Sequence, residues 1–184
     1  MFGWLFGKGR EPISEDCVWR SDDARLRGVA REARRFADDG SSVLVVALTA
    51  AALDRLAEAL ADREPLRAPS AIERSSLRAR LGRPGLVSLA LPAALAPEAK
   101  PAAGVRVEFL VCGRQDRRQA DDAIVAFAAA IAAGAFVTFH HSLEDPLLAG
   151  DSRHLGQILD RLGMNDDEPI LHSFLTRSIE RKQR

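Results

Sequence analysis

The side chains best suited to chemistry in this 184-residue chain fall in two short stretches. One is His140-His141 with Glu144 and Asp145 just beyond, a grouping with the residue types of a metal site or an acid–base pair. Adjacent residues on a strand point to opposite faces, so the two imidazoles are not expected to serve one ion, and a structural role is the expectation for both. Glu144 and Asp145 are expected to shape the turn or cap the next segment. The second stretch is Arg114, Arg117 and Arg118, a candidate weak anion site at the start of a helix. Asp116, Asp121 and Asp122 lie among these arginines, which points instead to a solvated face laced with ion pairs. Cys17 and Cys112 stand far apart without metal-ligand spacing, and Cys112 closes an apolar run as a small buried hydrophobe. There is no tyrosine, nucleophile elbow, zinc-ligand pair or dinucleotide fingerprint, and Gly7-Lys8-Gly9 lacks the spacing, the Ser/Thr and the strand of a phosphate loop. No catalytic residue, metal or cofactor is expected.

The elements that must carry these residues alternate in type. Near-continuous apolar runs at 43–48, 86–91, 105–112 and 135–139 have strand length and the composition of strands covered on both faces. Between them the apolar period becomes helical. Leu26, Val29, Ala30, Ala33, Phe36 and Ala37 share a face, with Ser21 as cap and Gly40 as stop. Thr49 caps a helix that buries Leu53, Leu56, Ala57 and Leu60, and a third helix runs from about 115 to 133. Segment 63–101 carries six prolines and is irregular, with a short helix near 71–81. Further on, 155–162 reads as an amphipathic helix capped by Asp151 or Ser152. A last helix begins near Pro169, carries Ile170, Leu171, Phe174, Leu175 and Ile179 and ends in a basic turn.

This alternation predicts an α/β three-layer sandwich with a mostly parallel central sheet. The expected division is a tail at 1–17, the α/β domain at 18–148 and a helical extension at 149–184 packed on the same domain. Lys+Arg and Asp+Glu both total 26, which offers no pull toward nucleic acid. Segment 1–9 (MFGWLFGKG) is too short for a signal peptide, although its aromatic residues suit a peripheral membrane contact. Cysteine usage fits a reducing cytoplasm.

Four blocks near the end, SLEDPLL (142–148), LDRLGM (159–164), DDEPI (166–170) and TRSIERKQ (176–183), resemble SecA, the protein-export ATPase, where its second RecA-like motor domain passes into a scaffold helix. Segments 18–60 and 107–133 are similar in pattern to earlier parts of that domain. The resemblance implies a RecA-like fold and a cytoplasmic or membrane-peripheral protein. It also exposes departures. Where the family has a Gly- and Asp-containing loop that contacts nucleotide, this chain reads PAALAPEAKPAAG (92–104). Where the family has a Gly-Arg-x-Gly-Arg run, it reads IVAFAAAIAAG (124–134). Such arginines are worth about 10³–10⁵ in phosphoryl-transfer rate, and alanine cannot supply the charge. A counterpart of the first motor domain is not found in the chain.

The expectation is therefore a non-enzymatic pseudo-motor domain that binds protein: SecA itself, the translocation channel, an exported protein or a second copy. The apolar residues Leu147, Leu148, Ile170, Phe174, Leu175 and Ile179 are its candidate partner-binding face. The alternative is a ligand-binding protein or enzyme that uses the crevice at the carboxyl ends of the strands.

Overall fold

Apolar runs that cannot face water on either side form the centre of a seven-stranded sheet. The computed structural model describes residues 13–96, 104–132, 135–148, 156–157, 160–161, 165, 167–171, 179 and 181–183. Within it the strands are β1 (Ile13–Trp19), β2 (Ser42–Ala47), β3 (Leu66–Ala68), β4 (Val87–Ala90), β5 (Val107–Cys112), β6 (Phe136–Ser142) and β7 (Ile170–Leu171). Their order is β3-β4-β2-β5-β6-β1-β7, with β1 to β6 parallel and only β7 antiparallel, paired to β1.

Four helices cover the two faces: α1 (Asp22–Asp38), α2 (Ala50–Ala59), α3 (Arg74–Leu81) and α4 (Arg118–Ile131). Alternate residues of each strand feed opposite cores. Val43, Val45, Leu110 and Cys112 pack under α1 and α2. Leu44, Val46, Phe109, Val111, Val137 and Phe139 pack under α3 and α4. The three-layer α/β sandwich is thus as expected.

Both expected caps are present. Ser21 Oγ accepts from the Ala24 amide and Thr49 Oγ1 from the Ala52 amide, each at 3.2 Å. These bonds satisfy amides that a helix start leaves without a partner. Gly40, at φ +82°, takes the left-handed turn after α1, where a side chain would be strained.

Three strands were not anticipated. β1 lies partly inside the segment read as a tail, so the sheet begins at Ile13 and not after residue 17. Its sequence, ISEDCVW, opens on Ile13 and then carries three consecutive polar residues, so it lacks any long apolar run. β3 has three residues, too few for a period. β7 corrects the expected start of the last helix: Ile170 and Leu171 extend alongside β1, and the described helical residues 179, 181 and 182 come later.

Past β6 the chain returns to β1 and α1. Arg20 pairs with Asp160, and Arg27 with Asp167 at 2.7 Å. Ile179 is fully buried with Val18, Leu147 and Leu148. Among the described residues, no helix is long and apolar enough to cross a membrane. Segment 1–9, read as a membrane contact, lies outside the described residues, as do Asp151 and Ser152, the caps expected further on.

Candidate functional site

At the carboxyl ends of the parallel strands, where α/β sheets place their sites, this protein holds a buried ionic network. Asp16 on β1 is its hub, with its side chain wholly out of solvent. Gly113, at φ +102°, turns the chain sharply after β5 and lets Arg114 fold back over the sheet. The guanidinium grips Asp16 with two bonds, Nε to Oδ1 at 2.7 Å and Nη2 to Oδ2 at 3.1 Å. It also lies 4.0 Å from the Phe139 ring centroid and has Asp121 Oδ2 at 3.6 Å. A planar fork over an aromatic face, matched to one carboxylate, is the geometry that favours arginine over lysine.

His141 on β6 closes the network. Its Nε2 is 2.9 Å from Asp16 Oδ1 and its Nδ1 is 3.5 Å from Asp145 Oδ2. Burial alone would push the imidazole toward neutrality, but the bonds to Asp145 and Asp16 raise its pKa above the ordinary value. Burial likewise opposes ionisation of Asp16. His141 and Arg114 overrule it and hold that carboxyl far below the usual range. Asp145 is lowered in the same way against its own burial, by His141 and by the Leu147 amide that Oδ1 accepts at 2.9 Å. Asp121 goes the other way: desolvation outweighs the Gln115 amide (3.0 Å), the Gln183 side chain and Arg114, and raises it. Arg114 and an imidazole whose pKa is raised thus face two carboxylates held low and a third whose burial opposes ionisation.

On the opposite face of the sheet sits His140, as the alternation of the strand requires. Its Nδ1 accepts from Trp19 Nε1 at 3.2 Å, and the two rings stack with centroids 6.1 Å apart. Burial, then the charges of His141 and Arg25, push its pKa down to about 3. Its Nε2 has no hydrogen-bond partner and faces Glu32 at 3.7 Å.

The expected assignments sort out accordingly. The two histidines serve different faces, and no group of three or more His, Cys, Asp or Glu that could hold a metal occurs among the described residues. His141 has both ring nitrogens engaged by carboxylates, which leaves no lone pair for general-base work. Glu144 Oε2 accepts from the Asp22 amide at 3.1 Å, so it caps α1 beside Ser21, while Asp145 caps the turn at Pro146–Leu148. The arginines separate: Arg114 is committed to Asp16, whereas Arg117 and Arg118 stand exposed at the start of α4. Leu147, Leu148 and Ile179 come together in one small core with Ile170 packed against it. Leu147, Leu148 and Ile179 are therefore covered by the chain's own fold, and Ile170 is half-buried against them. Phe174 and Leu175 lie outside the described residues. Both thiols are buried; burial pushes Cys112 up to about 12 and, with nearby carboxylates, Cys17 higher still. Neither suits a nucleophile.

Sequence reasoning missed Asp16, the hub itself. The available signal was an acid immediately before an apolar Cys-Val-Trp, which is unusual in a tail.

No protein-family model matches the chain. Among curated proteins, the protein translocase subunit SecA of Desulfotalea psychrophila is 31% identical over 180 residues, which cover 92% of this chain and 21% of that protein. The SecA of Flavobacterium psychrophilum is 28% identical over 183 residues, covering 92% and 16%. The chain is therefore similar to SecA over nearly all of its own length. It spans about a fifth of the length of the SecA proteins it matches. Among solved structures, T4 UvsW superposes with a TM-score of 0.51 at 11% identity, over 73% of this chain and 32% of that one. That likeness speaks for the RecA-like fold alone.

Proposed function

We propose that this SecA-related domain is a pseudo-motor: a RecA-like sheet that has ceased to handle phosphate and acts by binding another protein in the context of protein export. The observation that carries the proposal is the state of Arg114. It is the arginine buried in the network at the carboxyl ends of the strands, and an internal carboxylate already occupies its fork. From Gln119 to Ile131, α4 offers no second cation. Charge developing on a transferred phosphoryl group would meet no free guanidinium along that stretch, and such a contact supplies about 10³–10⁵ in rate. The kinship with SecA supplies the context, and the partners it suggests are SecA, the translocation channel, an exported protein or a second copy. Nucleic acid is left out because the chain's charges balance. A cytoplasmic or membrane-peripheral location follows from the same kinship.

Two measurements test this. Calorimetry with ATP, ADP and Mg²⁺ is expected to show no heat of binding, and a coupled assay no hydrolysis. Pull-down against purified SecA and channel components is expected to retain one of them. Hydrolysis that disappears on mutation of this chain would overturn the proposal, as would the absence of any export partner.

A further inference from the structure

A trough opens on the face of the sheet that carries α3 and α4. α3 is short and lies over β2, β3 and β4, whereas α4 lies toward β5 and β6, and among the described residues the turn at Pro92–Ala94 lies between them. Two cavities of about 200 and 350 Å³ meet there, sharing Ala96 and Phe127 as lining. The larger is almost wholly apolar: Pro92 and Leu95 form one wall, and Ala123, Ile124 and Ala126 of α4 form the other. The smaller continues over Leu77 and Ile131 and ends at Arg74, Ser75 and Arg78 of α3.

The charge at that end is one-sided. Arg74 donates to the Ala93 carbonyl at 3.0 Å and stands exposed, as does Arg78. Among the described residues neither pairs with a carboxylate, and no acidic side chain lines either cavity. This contrasts with Arg34, Arg55, Arg63 and Arg67, each of which has an aspartate partner. Beside the arginines stands Ile72, 86% exposed, the most exposed large apolar side chain among the described residues. It precedes Ser75 by three residues, the spacing that aligns side chains on one helical face. An apolar trough that ends in unpaired cations beside a bare isoleucine has the lining of a recognition groove.

We infer that this trough docks an apolar peptide segment of another protein whose flanking residues are acidic. Its apolar side chains would lie over Phe127 and Leu95, and its carboxylates would meet Arg74 and Arg78. The charge argues against a basic-flanked segment of the kind that begins a signal peptide, because two unpaired guanidiniums would oppose it. The inference rests on the lining of the trough alone and stands whether or not the export proposal does.

The test is fluorescence anisotropy with two labelled peptides that share a short Leu- and Phe-rich core, one flanked by glutamates and the other by lysines. The intact protein is expected to bind the glutamate peptide saturably and the lysine peptide at least about fivefold more weakly, the scale of one or two exposed charge contacts. Arg78→Glu, an exposed position, is expected to narrow or reverse that preference. Ala126→Glu, also exposed and on a helix, is expected to abolish binding by placing a bulky charge in the trough. Circular dichroism confirms that both variants are folded. Equal affinity for the two peptides, or binding indifferent to Ala126→Glu, would overturn the inference. So would self-association of the intact protein that Ala126→Glu abolishes, since the occupant would then be a second copy.

Discussion

Replacing Arg114 by methionine tests the ionic hub most directly. The substitution keeps a long apolar stem over Phe139 and removes the guanidinium from Asp16. Asp16 has no solvent-exposed side-chain surface, and Arg114 exposes 7% of its own, so water cannot take over the lost bonds. Breaking a buried pair by deleting one partner costs about 3–5 kcal/mol. His141 remains 2.9 Å from Asp16, so the residual charge keeps one partner and the lower end applies, about 3 kcal/mol. With a urea slope of roughly 2 kcal/mol per molar, the unfolding midpoint should fall by about 1.5 M. The pH dependence supplies a second signature. A carboxylate whose folded pKa is depressed gives stability that is present above its unfolded value, near 3.8, and is lost as pH falls through the folded value. In the native protein that loss lies at extreme acidity. Without Arg114, Asp16 is held down by His141 alone against its burial, so its folded value moves toward the unfolded one and less stability is lost as pH falls below 3.8. Equilibrium urea unfolding by far-ultraviolet circular dichroism reads the first effect at pH 7 and the second as pH falls from about 4 to about 2. The double variant Asp16→Asn/Arg114→Met should be less destabilised than the sum of the two single changes. Strict additivity, or a cost for Arg114→Met below about 1 kcal/mol, would refute the hub.

Three other outcomes are expected from the same geometry. Because the folded pKa of His140 is lowered to about 3, its contribution is present above about pH 6.5 and is lost as pH falls toward 3, at up to about 1.4 kcal/mol per unit. His140→Asn keeps an acceptor for Trp19, so its urea stability should fall less than that of the native protein between pH 6.5 and 5; identical slopes would contradict the assignment. Gly28→Ala should lower the melting temperature, since a Cβ there would lie 2.1 Å from Trp19 Cη2. Such overpacking costs about 1–3 kcal/mol and exceeds the roughly 1 kcal/mol gained in helix propensity; thermal unfolding followed by tryptophan fluorescence checks it. Thr49→Ala removes the 3.2 Å cap of α2 and should cost about 1 kcal/mol in chemical denaturation, with the fold unchanged.

What could be read from the amino acids divides along a physical line. Central parallel strands announce themselves, because burial on both faces demands unbroken apolar runs, and β2, β4, β5 and β6 all fall on such runs. Helix starts were readable because Ser21 and Thr49 act on amides only three residues away. β1 was hidden for the opposite reason. Its Asp16 is tolerable inside a sheet only because Arg114, 98 residues on, and His141, 125 residues on, come back to meet it. No local property of the tail reveals partners that the topology supplies. The alternation of a strand did separate His140 from His141 correctly, since that rule needs no distant residue. The fate of the arginines needed one: their clustering suggested an anion site, and the fold turned only Arg114 inward, onto a carboxylate from another strand.

That carboxylate is an anion in its own right. An incoming phosphate could gain Arg114 only by displacing Asp16, which would leave a buried charge with His141 as its partner. The separation would cost about 3 kcal/mol or more, whereas a charged hydrogen bond to a phosphate oxygen returns about 1.5–3 kcal/mol. The exchange is therefore unfavourable before any question of catalysis arises. It is most unfavourable where Asp16 is ionised, which its depressed pKa ensures near neutral pH. The bonds that hold the strand ends together are thus the ones a phosphate would have to break to reach Arg114. On the proposed pseudo-motor reading, rigidity and electrostatic closure would be one property of this site.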